Sequence, residues 1–229
     1  AMHICFLDID GTLVSTGGAG QAAFVVTLAK DFGIADPSSA SVEFSGRSDR
    51  AITMDMFALH GIAPTEDVWE QFRVAYVGRL AEVLPAYKGR VLPGVVPLLE
   101  SLSARGDTAL GLLTGNVQQA ARHKLTHYGL WHWFPFGGFG DEYTDRCDIA
   151  AAALAAGRKH LNGTAHCELV VIGDTPNDIR CARSIGARVV AVPTGSTSID
   201  ELRAAAPDVL VETLEDIEPI LRLFEVGKP

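Results

Sequence analysis

At 229 residues and 48% hydrophobic content, the chain can fold as one large domain or as a core carrying an insert, and its apolar share suffices for a packed interior. A formal net charge of −9 excludes a binder of nucleic-acid backbones, which needs a basic surface, and leaves any anionic substrate to be held by local cations. Cys5, Cys147, Cys167 and Cys181 form no CxxC pair and no apolar run is long enough to span a bilayer, so we expect a protein of the reducing cytoplasm with no disulfide framework, zinc site or membrane anchor.

The apolar stretch 3–9 reads as a buried strand. It is short, has no basic segment ahead of it and runs straight into acidic residues, unlike an export leader. Asp8 and Asp10 stand two residues apart at its end, before Gly11-Thr12-Leu13. Alternation along a strand would point both carboxylates the same way. Like charges held close repel unless compensated, and a hard cation such as Mg²⁺ prefers oxygen donors. One carboxylate can then attack while the other handles protons. Taken alone, the segment also fits a strand that ends in an acidic turn.

The stretch 15–20 is a flexible break. Helical periodicity follows over 21–32, 49–60 and 66–84, with no strand signal between, and a second break lies at 87–94. Inside this block, Phe44-Ser45-Gly46-Arg47-Ser48-Asp49-Arg50 makes a glycine-bearing turn before a helix. Its N–H groups, with Arg47 and Arg50, can hold an anion. The two arginines can equally pair with Glu43 and Asp49.

From residue 95 onward helices and strands alternate. Helices are expected over 95–105, 117–128, 148–160, 177–185, 199–205 and 214–224, and strands over 108–113, 136–139, 169–172, 188–192 and 208–211. This alternation implies an α/β fold with a doubly wound parallel sheet covered on both faces. Ligands of such sheets bind outside the carboxyl ends of the strands. Thr114-Gly115-Asn116 follows one strand, and Asp174 and Asp178 follow another, so all can meet Asp8 and Asp10 at one edge. A hydroxyl and N–H groups at Thr114, Gly115 and Asn116 can hold phosphoryl oxygens, or simply cap a helix.

Three other patterns carry less. Gly18-Ala19-Gly20-Gln21-Ala22-Ala23 has dinucleotide-loop spacing, but Asp8 and Asp10 intervene and would repel a pyrophosphate. His123 and His127 are one helical turn apart without the glutamate of a zinc protease, which places them on a helix surface. Trp131 and Trp133 read as core packing.

DIDGTL at 8–13, LLTGN at 112–116 and GDTPND at 173–178 stand in the order of the haloacid dehalogenase superfamily, which the chain resembles over residues 3–13 and roughly 90–211. The resemblance implies a Rossmann-like core of residues 1–15 and 91–229 with a helical cap over 16–90. It implies Mg²⁺-dependent hydrolysis of a small phosphorylated metabolite through an aspartyl-phosphate. Asp8 would be the nucleophile and Asp10 the general acid/base, its backbone carbonyl a metal ligand. Asp174 would bind Mg²⁺ and Asp178 would orient that site. Arg146 would be the basic residue, where the family more often has lysine. Residues 44–50 resemble the cap loop of phosphoglycolate phosphatases, which assigns Arg47 and Arg50 to a second polar or anionic group of the substrate. Asp10 argues against a dehalogenase, and the exposed setting expected for Lys30, a lysine on a cap helix, argues against a phosphonate hydrolase. A capped phosphomutase and a receiver-type phospho-accepting module remain as alternatives. The expected state is monomer or homodimer, with no nucleic-acid or membrane partner.

Overall fold

The structure is a computed structural model that describes residues 2–37, 42–163 and 167–225. In chain order its strands are β1 (Met2–Leu7), β2 (Val14–Ser15), β3 (Arg90–Val91), β4 (Thr108–Leu113), β5 (Gly137–Gly138), β6 (Cys167–Gly173), β7 (Arg188–Ala191) and β8 (Val209–Leu210). Its α-helices are α1 (Ala19–Phe32), α2 (Asp49–Leu59), α3 (Glu66–Val83), α4 (Val95–Ser103), α5 (Gln118–His127), α6 (Arg146–His160), α7 (Pro176–Ser184), α8 (Ile199–Ala204) and α9 (Glu218–Arg222).

Six strands build one parallel sheet in the order β5-β4-β1-β6-β7-β8. Side-chain alternation divides the apolar strand residues between two faces. Cys5 and Leu7 of β1 join Leu112, Val170 and Ile172 beneath Leu98, Leu99 and Leu102 of α4 and Leu125 of α5. Ile4 and Phe6 point the other way and join Val171 and Val189 beneath Ile149 and Ala153 of α6 and Ile179 of α7. Burial on both faces is why these strands read as continuous apolar runs. The chain order reverses beside β1, whose neighbours are β4 and β6. The loops leaving these three strands therefore flank one crevice.

Helices α1, α2 and α3 pack around a third cluster that includes Phe24, Leu28, Met56, Phe57, Phe72 and Leu80. Val117 and Ala120, at the start of α5, complete that cluster from the sheet side. Ser48 and Thr65 cap α2 and α3 by accepting N–H bonds from Ala51 and Val68.

Some expectations change in detail. The two breaks are not simply loose: β2 and β3 pair antiparallel, Val14 with Val91 and Ser15 with Arg90. Two-residue strands carry no readable alternation. The closing helix spans Glu218–Arg222 instead of 214–224, with Pro219 in its first turn, where a missing N–H costs nothing. His123, His127 and Lys30 are exposed, and Trp131 and Trp133 pack against the sheet core. Among the described residues no helix is long and apolar enough to cross a membrane.

Candidate active site

Asp8 follows β1 directly and keeps the ladder to β6, its N–H donating to Ile172 O at 3.0 Å. Its buried carboxylate accepts the Ile9 N–H at 2.8 Å and faces Arg146 Nη1 at 3.4 Å. Asp174 follows β6, and its Oδ1 accepts from Thr12 Oγ1 at 3.1 Å. A Cβ at Gly11 or Gly195 would collide with this carboxylate, so both glycines are needed for its close enclosure. Asp178 is the third residue of α7, in a reciprocal cap with Thr175. Its Oδ2 accepts from Thr175 N–H at 2.9 Å, Thr175 Oγ1 at 2.7 Å and Asp174 N–H at 3.2 Å, while Oδ1 takes Arg146 Nη2.

The carboxylates of Asp8, Asp174 and Asp178 lie within 4.8 Å of one another, all buried. Burial pushes the Asp8 pKa up to about 6, Arg146 pulls it back, and Asp178 pushes it further. Burial, then Asp178 and Asp8, hold Asp174 well above the usual carboxylate range. Burial works against the Arg146 charge, but Asp178 and Asp8 outweigh it and keep its pKa raised. Three buried acids against one guanidinium leave uncompensated negative charge. An all-oxygen set of this kind fits a hard divalent cation such as Mg²⁺. Both oxygens of Asp178 are engaged, so Asp8 and Asp174 have the freer oxygens and Asp178 braces them.

Asp10 lies outside this trio. Regular strand ends at Leu7, and the half-exposed Asp10 carboxylate lines the same cavity as Asp8 but takes different partners. Its Oδ2 accepts from Lys124 Nζ at 2.6 Å and Asn116 Nδ2 at 2.8 Å. Thr114 follows β4, and its Oγ1 accepts the Asn116 N–H at 3.3 Å and Nδ2 at 2.9 Å. The Gly115 carbonyl accepts the Asp49 N–H of α2 at 2.8 Å, and a Cβ at Gly115 would strike the Arg47 carbonyl. This seat docks the helical block on the sheet edge. Ser45 Oγ meets Ser196 Oγ at 3.1 Å across the same gap.

A cavity of about 340 Å³ lies between them. Asp8, Asp10, Thr114, Gly115, Asn116, Arg146 and Asp174 line it from the sheet side, and Phe24, Ile52 and Tyr76 of the helices with the loop residue Phe44 line it from the other. Arg47 lines it too, with its guanidinium held by Asp55 at 2.6 Å and the Glu43 carbonyl at 3.4 Å. Arg50 is not part of its wall. That guanidinium pairs with Glu66, donates to Asp141 O at 3.1 Å and sits 5.6 Å over Trp69, so the expected contact of Arg50 with substrate is not where the structure places it.

Lys124 is a side chain of the cavity wall that sequence reading missed. It is buried on α5 and bridges Asp10 and Asn116, both at 2.6 Å. A signal was present: residues 117, 120, 121, 124 and 125 form an apolar helical stripe, and a lysine inside such a stripe needs a buried partner.

The haloacid dehalogenase-like hydrolase family model matches residues 5–192. The chain is 28% identical to the protein named Probable phosphatase IndB from Dickeya dadantii, over 93% of this chain and 91% of that protein. It is 29% identical to a phosphoglycolate phosphatase of Synechococcus elongatus, over 94% and 95% of the two chains. Among solved structures, a hydrolase from Pseudomonas syringae superposes with a TM-score of 0.71 at 21% identity, covering 100% of both chains.

Proposed function

This chain belongs to the haloacid dehalogenase-like hydrolase family and is a phosphatase, and from that premise we propose that it hydrolyses a small phosphomonoester through an aspartyl-phosphate on Asp8. The observation that carries the reading is the buried trio Asp8, Asp174 and Asp178 braced by Arg146 at the sheet edge. An Asp8 oxygen attacks phosphorus and the bond to the leaving oxygen breaks. Asp10 gives that oxygen a proton, then takes one from the water that attacks the phosphoryl-enzyme and frees inorganic phosphate. Arg146 offsets the charge of Asp8 and of the incoming phosphoryl group, and the Thr114 hydroxyl with the N–H groups of Gly115 and Asn116 holds phosphoryl oxygens. Mg²⁺, held by Asp8, Asp174 and the Asp10 backbone carbonyl with Asp178 bracing, would supply charge neutralisation at the phosphoryl group.

Residues 16–90 act in this reading as a cap that shields the reaction from water. Several relatives carry the name phosphoglycolate phosphatase, which makes phosphoglycolate the first substrate to try. Arg47 is the cap cation able to exchange Asp55 for a substrate's second anionic group. A panel of phosphomonoesters assayed for phosphate release tests this function. Turnover is expected with Mg²⁺, none after chelation, and none in Asp8→Asn, whose amide cannot attack. Full activity in metal-stripped protein, or in Asp8→Asn, overturns the proposal.

A further inference from the structure

We propose that Lys124 is the positioning residue for Asp10, and that residue 20 is glycine to leave room for the Lys124 ammonium. The inference rests on the acid/base reading of Asp10 given above. An ammonium only donates, so it fixes the Asn116 amide with Oδ1 toward Nζ, at 2.6 Å. That orientation aims Asn116 Nδ2 at Asp10 Oδ2, at 2.8 Å, the atom that Lys124 also engages at 2.6 Å. Three side chains thus close a ring, and Thr114 Oγ1 ties it to the phosphoryl end through Asn116 Nδ2 at 2.9 Å. Both of these bonds to the carboxylate fall on Oδ2, which leaves Oδ1 for the leaving oxygen. With Asp10 itself half-exposed, a free carboxylate would sample several rotamers, and Lys124 selects one.

The ammonium also lies close to Gly20, in the first turn of α1. A Cβ there would sit 3.2 Å from Lys124 Nζ and 3.4 Å from Cε. Ordinary helix backbone at this position needs no glycine, so the space for Lys124 is the reason for one. Gly20 is the second glycine of the segment whose spacing imitates a dinucleotide loop, and this packing accounts for it.

Benzyl phosphate and p-nitrophenyl phosphate are similar in size but differ in leaving group. Benzyl alcohol must be protonated as it departs, whereas p-nitrophenolate leaves without help. In Lys124→Met, kcat/KM for benzyl phosphate should fall roughly 10–100-fold, with that for p-nitrophenyl phosphate within about threefold of wild type. Lys124→Met should cost nothing further in an Asp10→Asn background, because the two residues act as a unit. Gly20→Ala keeps the charge and the fold but crowds Nζ, and should show a smaller loss with the same leaving-group bias. It stands in as the test if Lys124→Met fails to fold. Equal losses on both substrates in either variant, or an additive double mutant, overturn the inference. If Asp10→Asn itself shows no leaving-group bias, the acid/base reading falls instead.

Discussion

Asp49 opens α2, where its N–H donates to Gly115 O at 2.8 Å and its carboxylate accepts the Val117 N–H at 2.9 Å. Enclosure pushes its pKa up to about 7 from 3.8, with Lys124 and the Val117 bond pulling the other way. Between those values the folded chain keeps a proton that the unfolded chain has released, so this residue's contribution to stability falls as pH rises through that window and is level above it. Asp49→Asn removes the dependence. Thermal melting in chelator at pH 5 and pH 7 should show the wild type losing ground to the variant at the higher pH. Arg146→Ala leaves Asp8 and Asp178 buried without their cation, and should cost about 3–5 kcal/mol of stability and at least ~100-fold in turnover. Arg146→Lys should recover only part of the turnover, since one ammonium cannot span both carboxylates as the guanidinium fork does. At this scale the acidic residues were legible because they end apolar strands. The pairing of Lys124 with Asp10 was not, because nothing nearby in sequence marks that partner, which the fold brings to it.

Among elements, long helices and central strands declare themselves by periodicity, whereas β2, β3 and β5 do not. β5 consists of Gly137 and Gly138, with no side chain to pattern, and pairs with Leu112 and Leu113. Its glycines answer packing: a Cβ at Gly138 would meet the Ile149 carbonyl and Ala153 of α6. The β2–β3 ribbon depends in the same way on Gly89, where a Cβ would collide with Tyr128 and the Ser15 carbonyl. Gly89→Ala should therefore destabilise by about 1–3 kcal/mol. Differential scanning calorimetry should register this as roughly 2–4 °C for each kcal/mol. An unchanged Tm would mean that the ribbon yields without cost.

For the molecule as a whole, the charge of −9 repels an anionic substrate at long range, while Arg146 and Arg47 attract it only inside the cavity. Raising ionic strength from about 20 to 200 mM screens the distant repulsion more than the enclosed attraction, so kcat/KM for an anionic phosphomonoester should rise by up to about twofold. A steep fall would place the governing cations outside the cavity. The overall α/β architecture was plain from the alternation of elements, but the docking of the helices through Gly115 and Asp49 depends on backbone contacts that no side-chain pattern encodes. The ribbon has one more consequence, for the order of folding. β1 and β4 are neighbours in the sheet, yet the whole helical block separates them in sequence. Once that block has collapsed on its own aromatic cluster and Val14 has met Val91, the open chain between Leu7 and Leu112 is shortened roughly fourfold, which lowers the entropy of closing it by about 1 kcal/mol. Helices that begin as an interruption of the sheet thus become the clasp that brings its first two strands together.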